Sequence, residues 1–329
     1  MTVNRRRLIL ASAAGLSTLP LQHALAQAAD AWPERTVKFI VPFPPGVAID
    51  TLLRTISIRL TEAWKQPVIV ENKPGAGANI GIELAARAPA DGYTILPTAS
   101  NFSANPALYS KVRYDPLKDF DPVGGLIKTP GVAMVAANSP IKSIADLVAR
   151  AKANPGAIKY SSGGNGTLSH FIAETFKSTV GVDMLHVPYK GGPEMMNSLL
   201  SDTTDIAFPV VAGMIPHFKA GKFRPLAITS EQRMPQLPDV PTLKETLPGL
   251  GFVLESENGL VVPAGTPSAI VNRMNQDIMR IMRDPAIANP LIDQGYAIVT
   301  GTPQALGATL RNDVARYAEL IRRVGLKLD

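Results

Sequence analysis

Residues 36–52, TVKFIVPFPPGVAIDTL, join a predicted strand to a predicted helix through a turn that is rich in proline and glycine. Thr36–Val41 has the β-branched and apolar composition of a strand, and a helical apolar pattern begins at Ala48. A helix that begins there has unpaired N–H groups in its first turn and a partial positive charge of about +0.5. Such an end can hold a carboxylate without a cationic side chain.

The same order recurs in residues 159–167, KYSSGGNGT, which are followed by a helical pattern over Leu168–Ser178. Strand, glycine-rich turn and helix again place open N–H groups at the start of a helix. Two helix ends of this kind predict one ligand held between two lobes.

The rest of the chain alternates strand and helix patterns, which indicates two α/β units with mostly parallel sheets. The first unit has strands over 36–41, 68–71 and 93–97 and helices over 48–64 and 80–88. The second has strands over 159–162, 184–189, 205–210 and 225–229 and helices over 168–178, 193–201 and 213–220. A strand over 260–263 returns to the first unit, and helices over 268–283 and 302–324 should cover it. Both glycine-rich turns follow strands, so both should face the crevice between the units.

The first 26 residues have the pattern of an export signal. Three arginines precede an apolar stretch over 8–21, and Ala24-Leu25-Ala26 fits a small-residue cleavage site. We therefore expect an exported protein that is cleaved near Ala26. The paired arginines leave the twin-arginine export route open beside ordinary secretion. No later stretch approaches the ~18 consecutive apolar residues of a membrane helix.

Composition excludes several classes of protein. The formal charge is +6, but Arg5, Arg6 and Arg7 lie in the predicted signal, so half of the excess charge would leave with it. The sequence has no basic run with interleaved aromatic residues, the pattern that would indicate nucleic-acid binding. The chain has no cysteine, which excludes disulfides, thiolate metal sites and a cysteine nucleophile. The roughly 300 residues that remain after cleavage predict two domains.

Several motifs, in order from Trp32 to the C-terminus, resemble the Bug family, the extracytoplasmic receptors associated with tripartite tricarboxylate transporters. They are VPFPPG at 41–46, VENKPGAG at 70–77, DGY at 91–93, HVPYKG at 186–191, KAGK at 219–222 and PAGTP at 263–267. The resemblance implies a two-lobed periplasmic binding protein of type II, the Venus-flytrap kind. It also implies a small organic acid as ligand, membrane components of the transporter as partners, and no chemistry. Residues 27–128 and 259–329 would form lobe one, and residues 129–258 would form lobe two with the hinge.

In lobe one, the loop Phe43–Ala48 resembles the family's ligand loop, where backbone N–H groups and ordered water meet a carboxylate. Asp50 matches the acidic residue of the following helix, and it either reaches the ligand or interacts only with its own helix dipole. Gly75–Asn79 is either a second ligand loop or a plain turn. The candidate ligand residues of this lobe are Phe43, Pro45, Gly46, Val47, Ala48, Asp50, Gly77, Ala78, Asn79 and Ser100.

In lobe two, the loop before the helix at Leu168 should supply side-chain and backbone donors. His170, in the first turn of that helix, either contacts the ligand or serves as a structural hydrogen-bonding group. Tyr189 is an aromatic residue that could wall the cleft. The candidates are Ser162, Asn165, Gly166, Thr167, His170, Tyr189, Pro209 and Glu257.

Three positions depart from the family pattern. Val47 stands where relatives commonly have a second glycine, and its side chain narrows the loop. Pro209 stands where many members have an aspartate, which removes a partner for a ligand ammonium group. Glu257 replaces part of a frequent aromatic pair, and it would either repel a second carboxylate or bind a donor. These changes argue against an amino-acid ligand, but they leave the acid unidentified.

Two other functions compete with transport. A secreted hydrolase would need an activated nucleophile, yet the sequence has no G-x-S-x-G motif, and no third member accompanies a pair of Ser162 and His170. The three histidines beyond the signal, at 170, 186 and 217, lack metal-binding spacing. We therefore expect no catalytic residues, metal or cofactor. The other alternative is a monomeric sensor that presents its closed form to a membrane receptor, and the sequence does not separate it from a monomeric transport receptor.

Overall fold

A computed structural model describes residues 32–249 and 251–327. The predicted export signal and its cleavage site at Ala26 lie outside these residues. The described chain forms two sheets flanked by helices, which confirms the two-lobed α/β fold. The prediction of mostly parallel sheets was wrong, because both sheets are mixed. No helix among the described residues has the length and apolar composition needed to cross a membrane.

The first sheet has six strands in the order β11-β4-β10-β3-β1-β2. Its parallel part is β2-β1-β3, and the other neighbours pair antiparallel. The strands are β1 (Val37–Val41), β2 (Val68–Asn72), β3 (Thr94–Pro97), β4 (Phe120–Pro130), β10 (Glu255–Pro263) and β11 (Ala297–Ile298). The helices in this part of the chain are α1 (Ala48–Trp64), α2 (Asn79–Ala86), α3 (Ser100–Leu108), α9 (Ser268–Met282), α10 (Pro285–Asp293) and α11 (Pro303–Val324).

The second sheet has five strands in the order β7-β6-β8-β5-β9. The strands β7-β6-β8 are parallel, and β5 pairs antiparallel with β8 and β9. The strands are β5 (Val132–Ala136), β6 (Lys159–Ser162), β7 (Leu185–Pro188), β8 (Ile206–Ala207) and β9 (Phe223–Ile228). The helices are α4 (Ile144–Ala153), α5 (Leu168–Val180), α6 (Gly192–Leu200), α7 (Ile215–Lys219) and α8 (Leu243–Thr246).

The sheets are mixed because two long strands connect the lobes. β4 leads through Gly131 into β5, and β10 returns from the second lobe antiparallel to β4 over nine registered residues. The sequence did not predict β4, because Pro122, Gly124 and Gly125 interrupt its strand pattern. Both glycines pack closely against other segments of the protein. An added Cβ would come within 2.5 Å of Asn275 Nδ2 at Gly124 and within 2.9 Å of Val299 at Gly125.

α11 packs in both lobes. Leu306 and Leu310, in its first half, join an apolar cluster with Ile40 and Phe102 of the first lobe. Further along, Tyr317, Leu320 and Ile321 join the cluster of the second lobe. The sequence pattern predicts that this helix covers the first lobe, and the structure adds the contact of its second half with the other lobe. α11 therefore straps the two lobes together.

α3 is a second element that contacts both lobes, and the sequence did not predict it. Phe102 packs with the first lobe, whereas Ala104 and Leu108 belong to the cluster of the second lobe. The helix has no apolar stripe, because its buried side chains include Ser100, Asn101, Ser103 and Asn105. Ser100, Asn101 and Asn105 bind the loops around the crevice, and a pattern search based on amphipathic helices overlooks such a helix.

Candidate functional site

Three loops of the first lobe lie at one edge of its sheet. β2, β1 and β3 are neighbouring parallel strands, so the turns that follow them emerge side by side. Gly81 lets α2 approach the first turn, because a Cβ there would lie 2.8 Å from Cβ of Pro42 and 2.8 Å from the carbonyl oxygen of Lys73. The structure thus brings the predicted loops at 43–48 and 75–79 together, as expected for strand ends in an open α/β sheet.

Asp50 organises the first loop. Its Oδ2 accepts the N–H of Gly46 at 2.9 Å and Nε of Arg54 at 3.0 Å, and its Oδ1 accepts Nδ2 of Asn72 at 2.8 Å. The same Asn72 amide donates to the carbonyl of Phe43 at 3.0 Å. The carboxylate is only 1 % exposed. These contacts place Asp50 beneath the loop, where it holds Gly46 in its left-handed conformation, φ +84°.

The charge of Asp50 is stabilised in place. Burial by itself would raise the pKa of this carboxyl, but hydrogen bonds from Arg54, Gly46 and Asn72 outweigh burial and hold the pKa below its usual range. Above the loop, Gly46 and Ala48 are exposed, and no atom lies within 4 Å of a Cβ added to Gly46. No side chain among the described residues caps α1. The first turn of α1 therefore remains open to a ligand.

Two asparagines of α3 hold the second loop. Nδ2 of Asn105 donates to the carbonyl of Gly77 at 2.8 Å and to Oδ1 of Asn79 at 2.7 Å. Asn101 donates to the same carbonyl at 3.2 Å. Ala78, between them, has a positive φ of 81°. The loop is thus a fixed part of the crevice rather than a mobile turn.

The two lobes touch beside this loop. Ser100 Oγ donates to the carbonyl of Gly166 at 3.3 Å, and Asn101 Nδ2 lies 3.5 Å from the carbonyl of Asn165. Gly166 has φ +75°, and an added Cβ would lie 2.9 Å from Leu108. A glycine at 166 therefore allows close contact between the lobes.

Every loop N–H at positions 163, 164 and 166 has an acceptor within its own lobe. Gly163 donates to Ser169 Oγ at 3.0 Å, and Gly164 donates to Ser162 Oγ at 3.2 Å. Gly166 donates to Nδ1 of His170 at 3.2 Å. The loop is held from below, as in the first lobe, and no side chain among the described residues caps α5.

Three stacked rings support this loop. Tyr160 lies against His186 with centroids 4.7 Å apart, and His186 lies against His170 with centroids 4.4 Å apart. His186 Nε2 is 2.7 Å from Ser162 Oγ, and the hydroxyl of Tyr160 donates to Glu174. The Ser–His pair that forms is thus 162 with 186, and the serine is fully buried while its oxygen accepts from the loop. This arrangement positions backbone and leaves no exposed nucleophile at Ser162.

Both imidazoles are neutral at physiological pH. Burial, together with the nearby His186 and Lys177, lowers the pKa of His170 to about 3. Burial also lowers the pKa of His186 to about 4, against an opposing effect of Glu174. In the unfolded chain both would titrate near their ordinary pKa of ~6.5.

We expect stability to fall as the pH drops from about 6.5 to about 4. Between these values both imidazoles are protonated in the unfolded chain and neutral in the folded protein. The free energy of unfolding therefore falls by up to ~1.4 kcal/mol per pH unit for each histidine as the pH drops. Urea unfolding at a series of pH values would measure this slope. His186→Phe should flatten it, and an unchanged slope would contradict the assignment.

The remaining candidates lie at the margins of these loops. Tyr189 packs with the Met134–Met195 cluster of the second lobe, and its carbonyl lies beside Gly164. Pro209 is buried beside the junction of β4 and β5, where its carbonyl accepts the N–H of Val132 at 2.9 Å.

The contacts of Glu257 lie on the last helix. Its Oε2 is 3.5 Å from Thr309 Oγ1 of α11, and its neighbour across the β4–β10 pair is Lys128. Burial raises the pKa of this carboxyl, and Asp313 raises it further. The structure therefore places Glu257 where the β4–β10 pair meets α11.

Several residues that hold the loops were not predicted from the sequence. They are Arg54, Asn72, Asn101, Asn105, Ser169 and His186. Arg54 had a detectable signal, since it follows Asp50 by four residues on a helix, which is the spacing of an ion pair. Among the described residues, no group of three or more histidines and carboxylates could hold a metal ion.

Comparison with known proteins gives consistent results. The family profile described as "Tripartite tricarboxylate transporter family receptor" matches residues 52–326. A curated protein of Pseudomonas sp. (strain P51), "UPF0065 protein in tcbD-tcbE intergenic region", is 34% identical over 319 residues, which are 97% of this chain and 94% of that protein.

Two solved structures are similar over their whole length. The periplasmic binding protein BugD is 32% identical, with a TM-score of 0.83, over 90% of this chain and 100% of that chain. The R. palustris protein Rpa4515, whose structure is described as containing adipate, is 31% identical, with a TM-score of 0.84, over 90% of this chain and 100% of that chain. The chain is thus similar in sequence and fold to a periplasmic binding protein and to a protein described with adipate.

Proposed function

Because the chain belongs to the tripartite tricarboxylate transporter receptor family, we propose that it captures a small organic acid between its lobes in the periplasm. It then delivers the acid to the membrane components of a tripartite tricarboxylate-type transporter. Receptors of this family are periplasmic solute-binding proteins. The observation that carries the proposal is the pair of uncapped helices, α1 and α5, each of which begins at a glycine-rich loop of a different lobe.

The ligand class follows from what these helix ends offer. Uncapped first-turn N–H groups and the helix dipole favour a carboxylate at each lobe. Adipate, the compound named for the related Rpa4515 structure, carries a carboxylate at each end. Pro209 supplies no carboxylate for a ligand ammonium group, so the proposed ligand is an organic acid without an amino group.

The ligand residues remain those of the loops described above. We place Phe43–Ala48 and the loop at Gly77–Asn79 on the first-lobe side, with Ser100 between the lobes. On the second-lobe side we place Asn165–Thr167, with Tyr189 and Pro209 at the margin. Asp50, Ser162 and His170 would act from beneath the loops, and Glu257 from the hinge.

The proposal includes export of the protein from the cytoplasm. Residues 1–26 would direct export and be removed near Ala26, and the mature receptor would act as a monomer. Residues 27–128 and 259–329 would form lobe one and residues 129–258 lobe two. Binding would involve no catalytic step, which fits the buried position of Ser162.

A thermal-shift screen tests the proposal. The mature protein, refolded free of carried-over ligand, would be heated with dicarboxylates, tricarboxylates, aromatic acids, amino acids and the corresponding amides. At a hundredfold excess over Kd, a ligand of the native state adds about 2.7 kcal/mol to the free energy of unfolding.

We expect one class of acids without amino groups to raise the melting temperature while its amides do not. An equal shift with the amides would contradict recognition of the carboxylate. If no acid shifted the melting temperature and the protein hydrolysed members of an ester or amide panel, the receptor function would be wrong and the protein would be an enzyme.

A further inference from the structure

The ligand loops of the two lobes are held by the same local arrangement. In each lobe a glycine with positive φ, +84° at Gly46 and +75° at Gly166, precedes an extended N-cap residue and a helix. The cap residue has φ −72° and ψ 159° in the first lobe and φ −77° and ψ 160° in the second. The residue four positions after the glycine then accepts the glycine's N–H. This residue is Asp50, at 2.9 Å, or His170, at 3.2 Å.

The acceptors differ in charge. Two further helices begin with an acceptor four residues on, and both use a carboxylate: Asp146 accepts from Lys142, and Glu194 accepts from Lys190. Asp50 does so as well. His170 provides the same bond through an imidazole and is only 2 % exposed.

The surroundings of the two acceptors explain this difference. Asp50 has Arg54 four residues later, which pairs with its carboxylate at 3.0 Å. The residue four positions after His170 is Glu174, whose carboxylate binds the Tyr160 hydroxyl and Lys177. A carboxylate at position 170 would therefore be buried and would have an acid at the position where Asp50 has Arg54. Lys177, the cation that acts on position 170, already pairs with Glu174. A neutral acceptor avoids that cost.

The protonation of His170 follows from its contacts. Because Nδ1 accepts the Gly166 N–H, the ring proton must reside on Nε2. The ring stacks on His186 and on Phe171 of its own helix, and the positive charge of Lys177 opposes its protonation. A protonated Nδ1 would be a donor that faces the N–H donor of Gly166. The hydrogen bond that holds the loop would then be lost.

We propose that His170 is the positioning residue of the second ligand loop: through Nδ1 it fixes Gly166 as Asp50 fixes Gly46, but without placing a negative charge beneath the helix end that meets the ligand. The effect on affinity rests on the proposed function. The effect on loop geometry does not, because it concerns a bond within the unliganded protein.

Three substitutions at one position separate the bond from the charge. His170→Asn keeps a neutral acceptor, and its side chain has the same length as that of Asp50, which reaches the equivalent glycine. His170→Asp keeps the acceptor and adds a charge. His170→Phe keeps a ring and removes the acceptor. His217→Asn, on the short helix α7, is the matched control for the chemical change.

Two measurements without ligand test the positioning role: NMR of the wild type, and hydrogen exchange of the wild type and the variants. Nitrogen-detected NMR of the wild type should show His170 with its proton on Nε2. Hydrogen exchange of the Gly166 amide should accelerate about tenfold in His170→Phe, as expected for loss of a hydrogen bond. It should change less than about twofold in His170→Asn and in the control. A proton on Nδ1 in the wild type, or equal exchange rates in all four variants, would overturn the proposal.

Affinity for an acid found in the screen then tests the charge. His170→Asn should bind within a few-fold of the wild type, and His170→Asp should lose about tenfold or more while keeping its Gly166 amide protected. Equal affinity of the Asn and Asp variants would overturn the role of neutrality. If no acid binds the wild type, the proposed function fails, and the NMR and exchange results still decide the positioning role.

Discussion

Asp50→Ala should cost about 2–3 kcal/mol of folding free energy and weaken ligand binding by roughly a hundredfold. The change removes one carboxylate that accepts from Gly46, Arg54 and Asn72. Gly46 loses the acceptor that keeps its N–H beneath the loop. Arg54 is half exposed and can return to water, which limits the loss of stability. Asn72 would still donate to the carbonyl of Phe43, but no other side chain among the described residues accepts the N–H of Gly46. A hundredfold loss of affinity corresponds to about 2.7 kcal/mol, so the effects on binding and on stability should be of similar size.

Urea unfolding and titration calorimetry with the acid found in the screen would measure the two effects. Asp146→Ala is the matched control, because Asp146 also accepts an N–H from four residues before it in a first helical turn, but on α4, away from the loops. It should cost at most about 1 kcal/mol and leave affinity unchanged. If both variants bound the acid as tightly as the wild type, the first loop would not need its buried carboxylate.

Tyr317→Ala should cost about 3–5 kcal/mol, the usual range for removing a large aromatic side chain from a core. The side chain is 1 % exposed, and its ring lies 4.9 Å from the ring of Phe171 in the second lobe. Because Leu306 and Leu310 anchor the same helix in the first lobe, the substitution also loosens the strap between the lobes.

Urea unfolding would measure the loss, and small-angle scattering would measure the separation of the lobes. Tyr317→Phe keeps the ring and should cost less than about 1.5 kcal/mol. A loss below 1 kcal/mol for Tyr317→Ala would mean that the second lobe does not depend on α11. An unchanged scattering profile alongside a large loss would limit the role of Tyr317 to the core.

The sequence predicted the backbone of the site better than its side chains. Proline, glycine and a β-branched strand gave the loop at 43–48 and the helix after it, because these residues restrict the chain locally. The same reasoning found the loop at 163–167. The alternation of strand and helix patterns also predicted two α/β units, and the family resemblance added the type of binding protein and the transporter, which local patterns did not contain.

The supports of the loops were hidden because they depend on contacts between distant segments. Asn72 meets Phe43 across 29 positions, and Ser100 meets Gly166 across 66. Asn101 and Asn105 are polar residues inside a buried helix, which composition alone assigns to a loop. His186 pairs with Ser162 only because β6 and β7 are neighbours in the sheet. A histidine 24 positions away carries no sequence signal for that pair.

The path of α11 also affects how the second lobe can be made. Its sheet and the helices α4–α8 come from one continuous segment, yet its core is completed by Tyr317, Leu320 and Ile321, which are synthesised more than sixty residues after β10 begins. A fragment that ends before α11 would expose the apolar face around Phe171 and Phe176. We therefore expect that the second lobe, although its sheet is contiguous, does not fold without the end of the chain. An exchange of this lobe between receptors would then have to include that end.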